Sequence, residues 1–443
     1  MTQTAPTDEG LLRAIGTVGL AASVINIVVG GSIFVLPAAL AREVGTGAPA
    51  AYLTGTVVMG LVTLSFIEAG RRTARSGGPY AYVEDAFGRF PGYLAGLLTW
   101  LAAAFASGAV GAALVDTLST VAPLLHRPLI RGSALVLLFT VLAMINLRGV
   151  RAGTRLASVT AVAKFSGLLL FVALAARFVQ AQNLEWTWPT TGGGLGRATI
   201  LMIFALAGME VPVCAGGEIR DPDRTVPRAL AAALTLVVLL YLTVHLVAQG
   251  VLGSSLAASQ APLADALARV GPGGRTLLLA TGAVSMFGYL GGDMLGSSRI
   301  LFAFGRDGLL PRRLGAVHEV TRAPHFAILF HTVIAAALAM SGTFTFLAPI
   351  ASLTIVVLYI GCCAAAWVLA RRPGQEQLLA RGRGHRLSAF APWLAIAGLL
   401  WVVAQSTRTE FLAIGAVLAA GSAIYWFKGR LWVADRHESS ARS

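Results

Sequence analysis

Hydrophobic residues in this chain fall in long continuous stretches, separated by short segments rich in glycine, proline and charged residues. A helix of about 20 apolar residues is long enough to cross the hydrocarbon core of a bilayer. The pattern therefore predicts twelve membrane-spanning helices, numbered in chain order as spans 1 to 12. The predicted spans are 14–41, 47–70, 87–122, 131–147, 155–179, 196–217, 228–252, 274–304, 325–341, 346–370, 389–406 and 410–427.

Two predicted spans are interrupted near the middle by small or helix-breaking residues. Span 1 is broken at Gly30-Gly31-Ser32, and span 6 is broken around Gly208 and Pro212. A broken helix in lipid leaves backbone N–H and C=O groups unpaired, which is costly unless these groups face a cavity or a bound solute. Interruptions at matching places in two halves of a membrane protein indicate the substrate site of a transporter.

Composition supports the membrane assignment. Of the 443 residues, 56% are hydrophobic and 12% are charged, and the mean hydropathy is +0.75. These values lie far from those of a soluble domain of this length. We therefore predict an all-α polytopic membrane protein.

The net charge of +14 is interpreted mainly as a signal for topology. Nucleic-acid binding is disfavoured because the basic residues are spread over many short loops instead of one domain. An excess of arginine in the inner loops predicts that both termini face the cytoplasm. The largest clusters in these loops are Arg71/Arg72/Arg75, Arg148/Arg151/Arg155, Arg312/Arg313 and Arg381/Arg383/Arg386.

No signal peptide, metal site or cofactor site is expected from the sequence. The polar start of the chain leads into a full-length span, unlike a cleavable signal. The cysteines, Cys214, Cys362 and Cys363, lie in apolar segments and are interpreted as packing residues. No His/Cys pattern has metal-ligand spacing, and the glycines at 192–194 lack the Gly-Lys-Ser/Thr of a phosphate loop. We therefore expect no ATP hydrolysis.

Five stretches, in order along the chain, resemble motifs of the amino acid, polyamine and organocation superfamily of secondary transporters. The stretch from Gly30 to Pro37 is similar to the family segment G-[AS]-G-I-F-x-x-P, with Ser32 in place of the second glycine. The resemblance runs from about Gly16 to Pro324. The other four stretches are Ser76–Gly88, Asn146–Val150 with Lys164, Phe204–Arg228 and Ser298–Pro311.

This resemblance implies a leucine-transporter-type fold, with two inverted five-helix repeats and broken helices in spans 1 and 6. It also implies alternating access, in which one helix bundle rocks against the other around a central site. The expected divisions are a cytoplasmic tail at 1–13, a first repeat at 14–180, a second repeat at 194–370, spans 11 and 12 at 388–428, and a cytoplasmic tail at 429–443.

An amino acid brings a carboxylate and an ammonium group into a low-dielectric site, and broken helices offer partners for both. N–H groups around Gly31, Ser32 and Ile33 suit the carboxylate, and carbonyls near the ends of the preceding half-helices suit the ammonium. The alternative interpretation is a glycine-rich helix crossing. The predicted substrate-binding residues are Ile27, Val28, Gly30, Gly31, Ser32, Ile33, Ser107, Phe204, Ala205, Ala207 and Asp293.

Three side chains are candidates for gating or coupling. Phe204 matches the position of an aromatic gate in the family, although it is otherwise an ordinary core or lipid-facing phenylalanine. Glu210 follows the break in span 6, where relatives use a glutamate in proton-linked gating; a structural role as acceptor for the unwound backbone is the alternative. Lys164 matches a lysine that replaces sodium in sodium-independent members, and it can also carry a proton; the alternative is a snorkelling lysine.

Ser107 aligns with a substrate-contacting position of the family, and Asp293 aligns with a pocket aromatic in helix 8 of the related arginine/agmatine exchanger. A carboxylate at 293 can meet a substrate ammonium, or it can cap a helix or pair with a basic residue. Asp116 is expected at the membrane interface. Thr99 stands where the related arginine/agmatine exchanger has a gating tyrosine, and this departure weakens the analogy with that exchanger.

The leading functional hypothesis is a sodium-independent amino acid permease of the inner (cytoplasmic) membrane, which works as a proton symporter or as an exchanger. A polyamine or cationic amino acid antiporter is the second hypothesis, motivated by Glu210 and Asp293. A channel or nutrient sensor lacks the expected repeated pore element, and an enzyme lacks a nucleophile with its base. The expected partners are an amino acid or amine, the lipid bilayer and protons, and no nucleic acid; the oligomeric state stays open.

Overall fold

The computed structural model describes residues 16–70, 72–73, 78–148, 150–188, 192–210, 219–306, 308–319, 321, 323–372 and 385–441. These residues form fifteen α-helices joined by turns and short 3-10 segments, and they contain no β-strand. The all-helical class predicted from the apolar stretches is therefore confirmed.

The helices are given in chain order. They are α1 (Thr17–Val28), α2 (Ser32–Val44), α3 (Ala48–Gly70), α4 (Pro79–Phe87), α5 (Arg89–Ser119), α6 (Pro128–Leu147), α7 (Val150–Ala175), α8 (Gly192–Leu206), α9 (Pro222–Leu252), α10 (Pro262–Ala268), α11 (Gly274–Arg306), α12 (His325–Ser341), α13 (Phe344–Ala370), α14 (His385–Val403) and α15 (Arg408–Ala441).

Eight helical stretches in the described part of the chain are long and apolar enough to cross a membrane. Four shorter apolar helices accompany them, at 17–28, 194–206, 325–341 and 390–403. Two of these are short because α1 and α8 end next to the predicted interruptions. The chain is therefore a multi-pass membrane protein, whereas the number of twelve crossings stays a prediction.

Close packing of α7 against α11 forms one wall of the protein interior. A Cβ atom built on Gly288 of α11 would lie 1.9 Å from Oγ1 of Thr160, and one built on Gly167 of α7 would lie 2.1 Å from Cγ2 of Thr281. Small residues at such crossings let helix backbones approach each other inside a bilayer. This contact fixes the relative position of two helices that carry the polar residues Lys164 and Asp293.

A partly buried ion pair ties the start of α8 to the start of α15. Nη1 of Arg197 donates to both carboxylate oxygens of Glu410, at 2.8 and 2.9 Å. The backbone N–H of Thr407 also donates to this carboxylate, at 2.7 Å, as expected for an acidic residue in the first turn of a helix. The pair therefore connects α8, which leads into the second interruption, to the last helix of the chain.

Arg197→Ala is expected to lower the free energy of unfolding by about 2 kcal/mol, because it leaves Glu410 without its cation; partial exposure of Arg197 makes this smaller than the ~3–5 kcal/mol of a fully buried pair. Thermal unfolding of the detergent-solubilised protein measures the effect. The double variant Arg197→Met with Glu410→Leu should recover most of the loss. Arg131→Ala, which breaks the more exposed pair with Asp116, is the control and should cost under about 1 kcal/mol. Equal losses for both arginine variants would contradict this account.

Candidate functional site

The first interruption is a tight backbone crossing. Residues 29–31 leave helical geometry between α1 and α2. A Cβ atom on Gly30 would lie 2.8 Å from Cδ2 of Tyr289, and one on Gly31 would lie 2.8 Å from Cγ of Met286. Only glycine lets α11 approach the interrupted backbone this closely. The interruption is therefore held against α11.

Both half-helices leave polar backbone groups at the interruption. The N–H groups of Ser32 and Ile33 belong to the first turn of α2, where helix geometry provides no internal acceptor. At the end of α1, the N–H of Val29 donates to the carbonyl of Ile25 at 2.9 Å, and the N–H of Gly30 donates to the carbonyl of Val28 at 2.7 Å. The N-terminal end of α2 thus offers donors and a positive partial charge.

The second interruption lies against the first. α8 ends at Leu206, and Gly208 has a φ of +103°. This left-handed conformation favours glycine. A Cβ atom at this position would also lie 3.0 Å from Cγ2 of Ile27 in α1. The predicted interruptions around residues 30 and 208 are therefore neighbours in space, whereas Pro212 is outside the described residues.

Glu210 accepts a hydrogen bond from the backbone of the second interruption. Its Oε2 atom accepts the N–H of Gly208 at 3.1 Å and the hydroxyl of Tyr359 at 2.7 Å. The side chain is buried, with a residue exposure of 3%. The structural role considered for Glu210 is thus present in the fold, and a coupling role stays a proposal.

Tyr241 of α9 connects the two sides of the first interruption, and nothing in the sequence pattern marks it. Its hydroxyl donates to the carbonyl of Val28, the last residue of α1, at 3.1 Å. The same hydroxyl lies 2.8 Å from Oγ of Ser32, the first residue of α2. Because the phenolic proton goes to Val28, the Ser32 hydroxyl is the donor in the second bond. Two predicted substrate contacts are therefore already paired within the protein.

Lys164 of α7 is directed toward α1. Its Nζ atom donates to the backbone carbonyl of Asn26 at 2.9 Å and to Oδ1 of the same residue at 3.0 Å. The residue is 4% exposed. A snorkelling lysine would extend toward the membrane interface, so these contacts favour a role inside the protein.

Asp293 and Ser107, predicted separately, are bonded to each other. Oγ of Ser107 donates to Oδ2 of Asp293 at 2.7 Å, and Oγ of Ser297 donates to Oδ1 at 3.3 Å. Asp293 follows Tyr289 by four positions, so both lie on one face of α11, one turn apart. The carboxylate is therefore close to the face that packs on the first interruption.

The other predicted residues occupy less distinctive surroundings. Phe204 is partly buried and packs edge-on against Phe344, with ring centroids 5.5 Å apart. Side chains of Ile33 and Ala205 are buried in the core, so their contribution to a site would come from backbone groups. Ala207 lies in the turn after α8, with its N–H donating to the carbonyl of residue 203.

Two further expectations concern the periphery of the site. Asp116 near the end of α5 forms an ion pair with Arg131, with 3.0 Å between Oδ1 and Nε. Both side chains are partly exposed, at 38% and 21%, as expected near an interface. The hydroxyl of Thr99 donates to the carbonyl of Ala95 within its own helix, at 2.8 Å.

A small apolar cavity adjoins both interruptions. Its volume of about 10 Å³ is close to the space that one water molecule needs. The lining residues come from α1, the end of α8 with the turn after it, and α9: Val24, Val28, Leu206, Met209, Leu230, Ala233, Leu234 and Val237. The helices are therefore closely packed at this level.

These features define a class of protein. Long apolar helices identify a multi-pass membrane protein, and two interrupted helices that meet in its interior are the arrangement found at the substrate sites of secondary transporters. The sequence profile of the amino acid permease family matches residues 15–427. The chain therefore belongs to the amino acid permease family, which confirms the superfamily indicated by its motifs.

Relatives of known name cover most of the chain. The serine/threonine exchanger SteT of Bacillus subtilis is 26% identical over 434 residues, which span 94% of this chain and 96% of the relative. The branched-chain amino acid permease BcaP of Lactococcus lactis is 27% identical over 378 residues, spanning 80% and 81% of the two chains. BcaP of Bacillus subtilis is 24% identical over 386 residues, spanning 82% of each chain.

Tyr241→Phe is expected to lower the free energy of unfolding by about 1–2 kcal/mol, because the carbonyl of Val28 loses one of its two donors and the Ser32 hydroxyl loses its acceptor. Thermal unfolding of the solubilised protein measures the loss. Tyr93→Phe is the matched control, since the buried Tyr93 hydroxyl has no hydrogen-bond partner among the described residues. Its removal should be neutral or slightly stabilising. A Tyr241→Phe protein as stable as the wild type would contradict the bridging role.

Proposed function

We propose that the protein is a secondary active transporter of amino acids. It works by alternating access, independently of sodium, as a proton symporter or as an exchanger. The observation that carries this proposal is the proximity of the two interruptions, where Gly208 of the second lies against Ile27 in the last turn of α1, just before the first. Backbone groups of both broken helices thereby converge on one place inside a membrane-spanning fold.

The substrate carboxylate is assigned to the N-terminal end of α2. N–H groups in the first turn of a helix carry a partial positive charge that stabilises an anion. Support comes from the pairing of Ser32 and Val28 with Tyr241, which leaves backbone N–H groups as the polar groups on offer. Recognition of the main-chain part of the substrate is then independent of side chains.

Neutral amino acids are the preferred substrate class. The names of two relatives specify serine and threonine in one case and branched-chain amino acids in the other. The cavity between α1, α8 and α9 is lined by aliphatic side chains and methionine, which suit an uncharged side chain. Phe204, at the end of α8, is proposed to close over the bound substrate.

Sodium independence rests on Lys164. A lysine nitrogen bonded to Asn26 places a cationic group between α7 and α1. In the superfamily that this chain resembles, sodium-independent members carry a lysine where coupled relatives bind the ion. The amine of Lys164 is proposed to stand in for that ion and to hold α1 in place.

Alternating access is supported by the tight packing of the site. A cavity of about 10 Å³ is too small for an amino acid, so entry requires the helices around it to move apart. We assign this movement to the two five-helix repeats at 14–180 and 194–370. In the proposed topology the chain crosses the inner membrane twelve times, and both termini lie in the cytoplasm.

A second candidate function is the transport of cationic amino acids or polyamines by exchange. Asp293 favours it, because the carboxylate lies one turn from Tyr289, which contacts the first interruption, and forms no ion pair with a lysine or arginine among the described residues. A substrate ammonium is a chemically suitable partner for such a group. In this case Asp293 of α11 would recognise the positive charge of the substrate side chain.

Uptake into proteoliposomes should separate the two candidates. We expect neutral amino acids to accumulate without sodium, driven by a proton gradient or by internal substrate. Empty liposomes and a sodium gradient alone serve as controls. Asp293→Asn should leave the preference between neutral and cationic substrates unchanged under the leading proposal, and should reduce cationic uptake under the second. If no amino acid or amine is moved in any arm, both proposals fail.

Lys164→Ala is expected to lower uptake by at least about tenfold while the protein still reaches the membrane. The reason is that the alanine methyl group carries no charge and cannot take the place of the buried ammonium that replaces an ion. Asn26→Ala is the graded companion variant. It removes the 3.0 Å side-chain bond and retains the backbone acceptor, so its loss should be smaller. Membrane content is checked by immunoblot of purified membranes. Wild-type uptake in Lys164→Ala would remove the ion-substitute role.

A further inference from the structure

Asp293 is a partly buried acidic group that is surrounded by neutral donors. The carboxylate accepts hydroxyl groups from Ser107 and Ser297, and its side chain is 14% exposed. Among the described residues, no lysine or arginine nitrogen lies within 4.0 Å of its oxygens; the only basic side chain in that range is His331 of α12. A carboxylate in such surroundings lacks a fixed countercharge.

Two other carboxylates of the membrane-spanning helices, Glu68 and Glu410, have such a countercharge. Glu68 pairs with Arg72 at 2.5 Å, and Glu410 pairs with Arg197 at 2.8 Å. An ionised carboxylate without a cation is costly in a low-dielectric interior, and a proton is the smallest cation that can remove this cost. The surroundings of Asp293 therefore favour the binding and release of a proton by its carboxylate.

The indole of Trp100 determines the tautomer of His331. Nε1 of Trp100 lies 3.2 Å from Nδ1 of His331, and an indole N–H can only donate. Nδ1 must therefore carry a lone pair, so the ring proton is on Nε2. This Nε2–H lies 3.7 Å from Oδ2 of Asp293 and has no hydrogen-bond partner among the described residues.

The same contact keeps His331 uncharged. A second proton would have to bind Nδ1, where it would face the N–H of Trp100. Since His331 is fully buried, with 0% of its side chain exposed, it cannot turn to water for another partner. The imidazole is thus a neutral donor whose Nε2 atom lies 3.7 Å from Oδ2 of Asp293, and the proton that neutralises this cluster must bind the carboxylate.

We propose that Asp293 binds and releases the coupling proton of the transport cycle, and that His331, held by Trp100, is the positioning residue that donates to its ionised form. The proposal rests on the proposed function as a proton-coupled transporter. On protonation, Oδ2 gains the proton and donates it toward Oγ of Ser107, which turns from donor to acceptor. On release, the proton passes to water that enters when the helices separate; Ser107 donates to the carboxylate again, and the nearby N–H of His331 joins it as a second donor to Oδ2.

The position of Asp293 explains how its charge reaches the substrate site. It shares a face of α11 with Tyr289 and Met286, which touch the interruption at Gly30 and Gly31. Asp293 lies one helical turn from Tyr289, so a charge on its carboxylate acts close to the positive end of α2. A proton at Asp293 and a carboxylate at α2 then stabilise each other's binding.

Few other ionisable groups face this cluster from the neighbouring helices. α5 contributes Ser107 and Trp100, which do not titrate in the working range, and α12 contributes His331. α6 presents Asn146, whose amide donates to the carbonyl of Gly291. Among the side chains that the structure describes on the remaining neighbours, Lys164 of α7 is bonded to Asn26, and Asp265 of α10 is paired with Arg275.

The pH dependence of uptake tests the positioning role through two variants that should move in opposite directions. His331→Leu removes a donor to the ionised carboxylate, so the pH of half-maximal uptake should rise by about half a unit or more. Trp100→Phe frees Nδ1 to accept a proton, and a cationic His331 would stabilise the ionised carboxylate. The half-maximal pH should then fall.

Two further variants serve as controls for the pH profile. His331→Gln keeps an N–H donor toward Asp293 and should restore a profile close to the wild type. His245→Gln replaces another fully buried histidine, which packs against Tyr52 and should not affect the profile. Shifts of His331→Leu and Trp100→Phe in the same direction, or no shift in either, would overturn the assignment.

Infrared difference spectra of the purified protein at two pH values test the proton site without transport. The wild type should show the C=O stretch of a protonated carboxyl, Asp293→Asn should lose this band, and Glu210→Gln should retain it. Loss of the band in Glu210→Gln alone would place the proton on Glu210 and overturn the proposal. If Asp293→Asn does not fold, the band in His331→Leu should persist to higher pH than in the wild type; an unchanged band overturns the proposal as well. Absence of uptake with this band intact would reject the proposed function separately.

Discussion

The structure depends on the requirement that backbone N–H and C=O groups inside a bilayer find partners. Two helices stop within the membrane-spanning region, and the chain supplies partners for the groups that are exposed there. Tyr241 donates to the backbone carbonyl of Val28 at one interruption, and Glu210 accepts the N–H of Gly208 at the other. Tyr241 belongs to α9, and Tyr359, which donates to Glu210, belongs to α13, so tertiary contacts help to fix both interruptions.

Polar groups in the interior fall into two kinds with different consequences. Arg197 and Glu410 carry opposite charges that neutralise each other, and their ion pair connects α8 to α15. Asp293 is held by neutral donors alone among the described residues. Such a group can change its charge with small rearrangements of hydroxyl protons, whereas a paired arginine and glutamate cannot. This difference separates structural polar contacts from a site that can take part in a cycle.

Parts of the candidate site could be predicted from the sequence because they depend on local chemistry. Glycine at 30, 31 and 208 indicated interrupted helices, and ionisable residues in apolar stretches pointed to Lys164, Glu210 and Asp293. The hydrogen-bond partners of the site residues could not be predicted from the sequence. Tyr241 lies 209 positions from Ser32, and His331 lies 231 positions from Trp100. No periodic pattern in the sequence marks either pair of residues, because each contact depends on how two separate helices cross.

The sequence by itself determined the helical membrane class and the places where helices stop, since hydrophobic length and the conformational freedom of glycine act within a few neighbouring residues. It also determined the family, through motifs spread over most of the chain. Only the tertiary structure decided that the two interruptions touch, that Glu210 serves the backbone and that Asp293 faces a neutral histidine. Those outcomes follow from the packing of α1, α5, α11 and α12, in which a shift of one helical turn would change every partner.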